Sequence, residues 1–275
     1  MPRSSIQRVV APLLLTSALA SCAGDGKGLD ANGQPIEPGN GTPPPLTADF
    51  QSIQANVFTP ICTKCHIGAS APEGLQLDAE HSYALLVGVP SNEVPSLLRV
   101  DPGFPDQSYL VLKLQGSPGI VGAQMPFGGP YLDQATIDVI RQWITDGASQ
   151  SAASSAPATA FSVAATSPAD RSVVNAPVRQ IVVAFNREID ASLVNNTTLS
   201  LQRLGGNSAS AIEAPVSLQI AKGNPRVVLI IPSAALGAGT YRLRVRGTGG
   251  GALADLNAQT LPADYSAEFR VDASP

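Results

Sequence analysis

At 275 residues the chain is long enough for two modest domains. Only 14% of its residues are charged and 5% aromatic, while 24 prolines and 25 glycines fit a secreted protein rich in loops and strands. The formal net charge of −4 argues against nucleic acid as a partner.

Residues 1–21 read as an export signal. Arg3 and Arg8 form a basic start, and Val9–Ala18 is an apolar stretch too short to span a membrane. It ends in Leu19-Ala20-Ser21-Cys22, which resembles the lipobox of bacterial lipoproteins. An ordinary signal peptide with a nearby cysteine is the plainer alternative. The resemblance implies that Cys22 becomes a lipidated N-terminal residue, and several acyl chains give stable membrane anchoring. Ala23, not Asp, follows the cysteine, so the expected location is the outer membrane, on its periplasmic or surface face. Residues 22–46 are rich in Gly, Pro and Asn without apolar periodicity and read as a flexible tether.

Residues 47–148 read as a helical domain. Thr47 is the expected N-cap of a helix bearing Phe50, Ile53, Val57 and Phe58, with Pro60 ending it. Next comes Cys62-Thr63-Lys64-Cys65-His66, the C-x-x-C-H spacing that attaches a c-type haem. Two thiols three residues apart can each form a thioether with a porphyrin vinyl group, and the adjacent histidine then supplies a proximal nitrogen to iron. A structural zinc site normally needs a second Cys/His pair, and only Cys22 and His81 remain. A thioredoxin-like redox pair belongs in a βαβ context that the flanks do not provide. The sixth iron position falls to Met125, to His81 or to nothing. His81 lies in the polar stretch Asp78–Ser82 and reads as an exposed histidine at a helix start. Met125 sits in an apolar Gly/Pro-rich loop after the haem motif, and although a lone methionine is usually core filler, this placement favours ligation. Asp106 is the expected cap of a helix with Tyr109, Leu110, Leu112 and Leu114, ended by Gly116. Asp133 is the expected cap of a last helix whose Ile137, Ile140, Trp143 and Ile144 share one face, with Gly147 as its terminator.

The run MPFGGPYLDQATIDVIRQWITDGA from Met125 to Ala148 resembles the closing segment of a class of bacterial cytochrome c domains, and Phe50–Phe58 before the Cys motif is similar to their opening. The resemblance implies a mainly α fold with one haem c, covalently held by Cys62 and Cys65, with His66 proximal and Met125 distal. The three cysteines are then all assigned, one to lipid and two to haem. From Leu46 to Gly147 there are ten acidic and four basic residues, so a positively charged redox partner would be steered toward this domain.

Residues 149–160 form a Ser/Ala-rich linker. Beyond it, strands are predicted at 161–166, 178–185, 198–204, 214–221, 226–231, 241–246 and 266–271, spaced as in a β-sandwich. Alternation in Tyr241–Arg246 places Arg242, Arg244 and Arg246 toward solvent. Residues 161–275 resemble bacterial immunoglobulin-like domains, through Ser167-Pro168-Ala169-Asp170 and Ile181-Val182-Val183-Ala184-Phe185 with Glu188 and Asp190. No histidine follows His81, which excludes a Ser-His-Asp triad in this half. Asp255 and Asn257 are too few oxygen ligands for calcium and read as an ordinary polar loop.

The sequence therefore predicts a two-domain chain, mainly α then all-β, that is not an enzyme but a membrane-anchored one-electron carrier. Its redox partner is a protein of unknown identity. The alternatives are a haem-based sensor or ligand-binding protein, and a structural or adhesion lipoprotein in which haem mainly stabilises the fold. The two halves are expected to fold independently, since the linker has few apolar anchors.

Overall fold

The computed structural model describes residues 45–150, 160–175, 177–205 and 210–273. The export signal, Cys22, nearly all of the tether and most of the linker lie outside the described residues. Residues 45–275 form one compact unit.

The N-terminal part is a set of short helices. The first begins at α1 (Phe50–Ile53), widens into a π-turn over Gln54–Phe58 and ends in α2 (Thr59–Ile61). Its N-cap is Asp49, whose carboxylate accepts from Ser52 N–H at 2.9 Å, while Thr47 donates its hydroxyl to Asp49 instead of capping. Pro60 does not end the helix. In the π-turn Thr59 N–H reaches back to Gln54 O, and this wider ring passes the chain into α2 with Pro60 in its first turn, where a missing N–H costs little. A 3₁₀ turn over Cys62–Lys64 follows directly. Then come α3 (Ser82–Leu86), α4 (Tyr109–Gln115) and α5 (Gln134–Thr145). Asp133 caps α5 through Thr136 N–H at 2.7 Å, its four apolar residues are buried as the spacing predicts, and Gly147 at φ 93° closes it. Asp106 does not cap α4. It pairs with Arg141 at 2.6 Å, and Ser108 takes the cap position, with its hydroxyl bonded to the Asp101 and Phe104 backbone. These helices enclose a core that includes Phe50, Ile53, Phe58, Leu86, Ile140 and Trp143.

Among the described residues the C-terminal part is a sandwich of nine strands. These are β1 (Val163–Ser167), β2 (Val173–Asn175), β3 (Ile181–Phe185), β4 (Leu199–Leu204), β5 (Ala211–Ala214), β6 (Val216–Ala221), β7 (Asn224–Pro232), β8 (Gly239–Val245) and β9 (Tyr265–Asp272). One sheet runs β1-β3-β7-β6 and the other β2-β9-β8-β4-β5. Pairing is antiparallel except for β2 with β9. The short edge strands β2 and β5 were not predicted. Arg244 and Arg246 are exposed as predicted, whereas Arg242 is half-buried and paired with Glu268 across to β9 at 2.7 Å.

In the β1-β3-β7-β6 sheet the central strand β3 and the middle of β7 are buried on both faces. Val183, Val228 and Ile230 point into the sandwich, and Val182, Ala184, Val227 and Leu229 point outward against Leu85 and Val89 of the helical part. The two-residue tip of the β6–β7 hairpin seals the seam. Lys222 pairs with Asp101 at 2.7 Å, Asn224 donates to Val87 O at 3.3 Å, and the Lys222 ammonium lies 4.9 Å from the centre of the Phe104 ring. An apolar seam thus joins the two halves, supplied by strand residues that the linker gives no sign of.

Candidate functional site

The helix through Thr59–Ile61 delivers Cys62 to the 3₁₀ turn, where Cys65 N–H and His66 N–H both return to Cys62 O at 3.2 and 2.9 Å. That turn brings both thiols and the imidazole to one wall of a cavity of about 370 Å³. Leu75, Leu77, Leu86, Leu110 and Leu114 make most of its lining apolar. Met125, Pro126 and Phe127 belong to the same cavity. The Met125 loop hangs from the end of α4: Met125 N–H donates to Lys113 O at 2.9 Å and Gln124 Nε2 to Leu114 O at 2.8 Å. Beyond it the chain turns back, with Gly129 N–H bonded to Pro126 O at 2.9 Å.

The imidazole is oriented by backbone. His66 Nδ1 lies 3.0 Å from Leu75 O. A carbonyl only accepts, so Nδ1 carries the proton and Nε2 keeps its lone pair for a ligand. Burial holds the His66 pKa below its ordinary value, partly countered by that carbonyl bond, so the ring is neutral and ready to coordinate. Burial also pushes the Cys62 thiol up to about 11. Cys62 and Cys65 are not disulfide-bonded to each other. His81 lies outside this cavity, in front of α3, with Nδ1 bonded to Asp78 at 2.6 Å. Of the sequence-predicted residues, the structure thus gathers Cys62, Cys65, His66 and Met125 and leaves His81 apart. Among the described residues no group of three or more His, Cys, Asp or Glu side chains forms a metal cluster.

One end of the cavity is polar, which sequence reasoning did not anticipate. Arg99 is buried and donates to Leu85 O at 2.8 Å and to Glu73 O at 2.7 Å; burial lowers its pKa to about 10, which leaves it charged at neutral pH. Lys113 donates to Val121 O at 2.8 Å and pairs with Glu93 at 3.2 Å, and Tyr109 donates to the same carboxylate at 2.8 Å. A lone arginine in the apolar run Leu97-Leu98-Arg99-Val100 was the available signal, because a buried guanidinium must find fixed acceptors. A larger cleft of about 710 Å³ adjoins the cavity through Pro72, Glu73, Ser91 and Asn92 and has no thiol, imidazole or thioether in its lining.

The chemistry of the lining fits a covalently attached haem: two thiols, a tautomer-fixed imidazole and a thioether among apolar leucines, with Arg99, Lys113, Glu73 and Glu93 as its charged groups.

No curated protein matches the chain. Among solved structures, PcoC, a methionine-rich copper resistance protein from Escherichia coli, is 23% identical over 41% of this chain and 99% of its own, with a TM-score of 0.33. CopC from Methylosinus trichosporium OB3b is 17% identical over 42% of this chain and 96% of its own, with a TM-score of 0.30. The surface layer protein SbsC, domains 1–6, is 11% identical over 50% of this chain and 16% of its own, with a TM-score of 0.31. Residues 157–271 match the family of bacterial Ig-like domains, and the C-terminal part of the chain is accordingly an all-β immunoglobulin-like sandwich.

Proposed function

We propose that the helical part is a cytochrome c-like domain and the chain a membrane-anchored one-electron carrier. The observation that supports this most is the meeting of C-x-x-C-H and Met125 in one largely apolar cavity, with His66 Nδ1 tied to a backbone carbonyl. Cys62 and Cys65 would hold one haem c through thioethers, and His66 and Met125 would be its axial ligands. Bound there, the group supplies a one-electron iron couple. The protein's own part is to hold the imidazole neutral and oriented, to present a methionine thioether that favours the ferrous state, and to exclude water with leucines. Arg99 and Lys113, balanced by the carboxylates of Glu73 and Glu93, would give the group a polar end. With His66 and Met125 both given to the iron, no coordination place would be left for a substrate, which favours transfer over catalysis. Phe127 and Ile67, 76% and 54% exposed, flank the cavity or its histidine and would form the apolar rim where a basic redox protein docks on the acidic domain.

The test is a pyridine haemochrome and intact mass of the exported protein. One haem per chain that resists acidified organic solvent is expected; extractable haem, or zinc in place of iron, overturns the reading. Lipid anchoring at Cys22, with outer-membrane placement, completes the proposal. Cys22→Ala is expected to move the protein to the soluble fraction with its haem retained, and membrane association that survives the substitution refutes the anchor.

A further inference from the structure

The sandwich reaches the loop that carries the histidine. Residues 66–77 close on themselves, with Leu77 N–H donating to His66 O at 2.8 Å and His66 Nδ1 to Leu75 O at 3.0 Å. The apex of this loop is held from outside. Ser167, buried at the end of β1, donates its hydroxyl to Gly74 O at 2.9 Å. Gly74 stands at φ 61° and so close to the strand that a Cβ would lie 2.3 Å from Ser167 Oγ. Glu73 is also left-handed, at φ 56°, and its carbonyl accepts from Arg99 and from Asn92 at 2.7 and 2.8 Å. Gln180, just before β3, donates to Pro90 O at 2.7 Å and to Asn92 Oδ1 at 3.2 Å. Leu75, whose carbonyl accepts the hydrogen bond from His66 Nδ1–H, packs against both the helical core and the apolar seam.

We infer that the immunoglobulin-like domain positions the proximal histidine, with Ser167 as a positioning residue that acts on His66 through Gly74 and Leu75. The inference rests on the reading of His66 as an iron ligand. A left-handed non-glycine residue beside a left-handed glycine persists only where its surroundings over-determine it, and here those surroundings include two side chains of the sandwich. The strength of the Nδ1–H bond to Leu75 O sets how much electron density the imidazole gives to a metal. Releasing the apex loosens that carbonyl, weakens donation and favours the reduced metal.

The experiment compares the full-length haem-loaded wild type with Ser167→Ala, Ser167→Thr and a control, Ser233→Ala, which removes a hydroxyl bonded to Pro215 O far along the sandwich. The readouts are the midpoint potential, the paramagnetically shifted His66 ring signals, and amide exchange at Leu77. Ser167→Ala is expected to raise the potential, move the His66 signals and speed Leu77 exchange about tenfold, the effect of losing roughly one hydrogen bond. Ser167→Thr is expected to restore all three, and Ser233→Ala to change none. Haem-loaded Ser167→Ala indistinguishable from wild type overturns the inference, as does Ser167→Thr behaving like Ser167→Ala. Where Ser167→Ala does not fold, Gln180→Ala is measured in the same way, and an unmoved potential and exchange rate overturn it. Wild type without haem overturns instead the ligand reading on which the inference rests.

Discussion

Met125 is held by its backbone as well as by its side chain, which packs against the helical core. Its N–H is fixed to Lys113 O, so truncating the thioether leaves the loop in place. On the proposed haem reading, Met125→Ala is therefore expected to keep the covalent group and lose the sixth ligand. The potential should fall, and the sulfur-to-iron band at the red end of the ferric spectrum should vanish in absorption measurements. Asp255 makes a separate prediction. Burial alone would raise its pKa, but the Gln259 and Asn257 N–H groups and the Arg187 guanidinium outweigh burial and hold it below the ordinary value. A carboxyl depressed below its unfolded value of about 3.9 adds stability that is complete above that pH and is lost as pH falls through the folded pKa. Asp255→Asn is expected to cost about 1–2 kcal/mol at pH 7. It should also flatten the acid limb of stability below about pH 4 in urea titrations. The thiols and His66 were legible because their chemistry is written in a five-residue spacing. Tyr109, Glu93, Arg99 and Lys113 were not, because they meet only after α4 packs beside the loop at 91–99.

Local rules described α5 well and the first helix less well. In α5 the cap, the apolar face and the terminator all agree, and each depends only on residues within four positions. In the first helix Pro60 reads as a stop, yet the π-turn absorbs it, and nothing in Gln54–Phe58 announces a wider turn. The strands Ile181–Phe185 and Val227–Ile231 carried a signal that was present but unread. Both are continuous apolar runs, where a strand with one wet face would alternate. The β6–β7 hairpin gives the test at this scale. Gly88 stands at φ 73°, and a Cβ there would lie 2.2 Å from Lys222 O. Gly88→Ala is expected to destabilise by roughly 1–3 kcal/mol from backbone conformation alone, and by more from the clash. Thermal unfolding should show it, with the loss reported by probes in both halves.

Across the whole molecule, the seam decides how the protein unfolds. Leu85 and Val89 are fully buried against the sandwich, and exposing either costs what any core residue costs. The full chain is expected to melt in one calorimetric transition, and two resolved transitions would disprove coupling. A chain ending near Ala148 should bind hydrophobic dyes and unfold at lower denaturant than the same helices in the full protein. The charge asymmetry visible in the sequence would act only on the approach of a proposed partner, whereas cohesion comes from apolar residues scattered over α3, β3 and β7, which no linear window brings together. The outward residues of that sheet also serve as a criterion. A sandwich of this kind with polar side chains at the places of Val182, Ala184, Val227 and Leu229 would be wetted there and could stand alone on any tether. With these four apolar residues the β1-β3-β7-β6 sheet is the middle layer of a three-layer stack, and grafting the sandwich elsewhere without its helices would yield a sticky sheet in place of a neutral spacer.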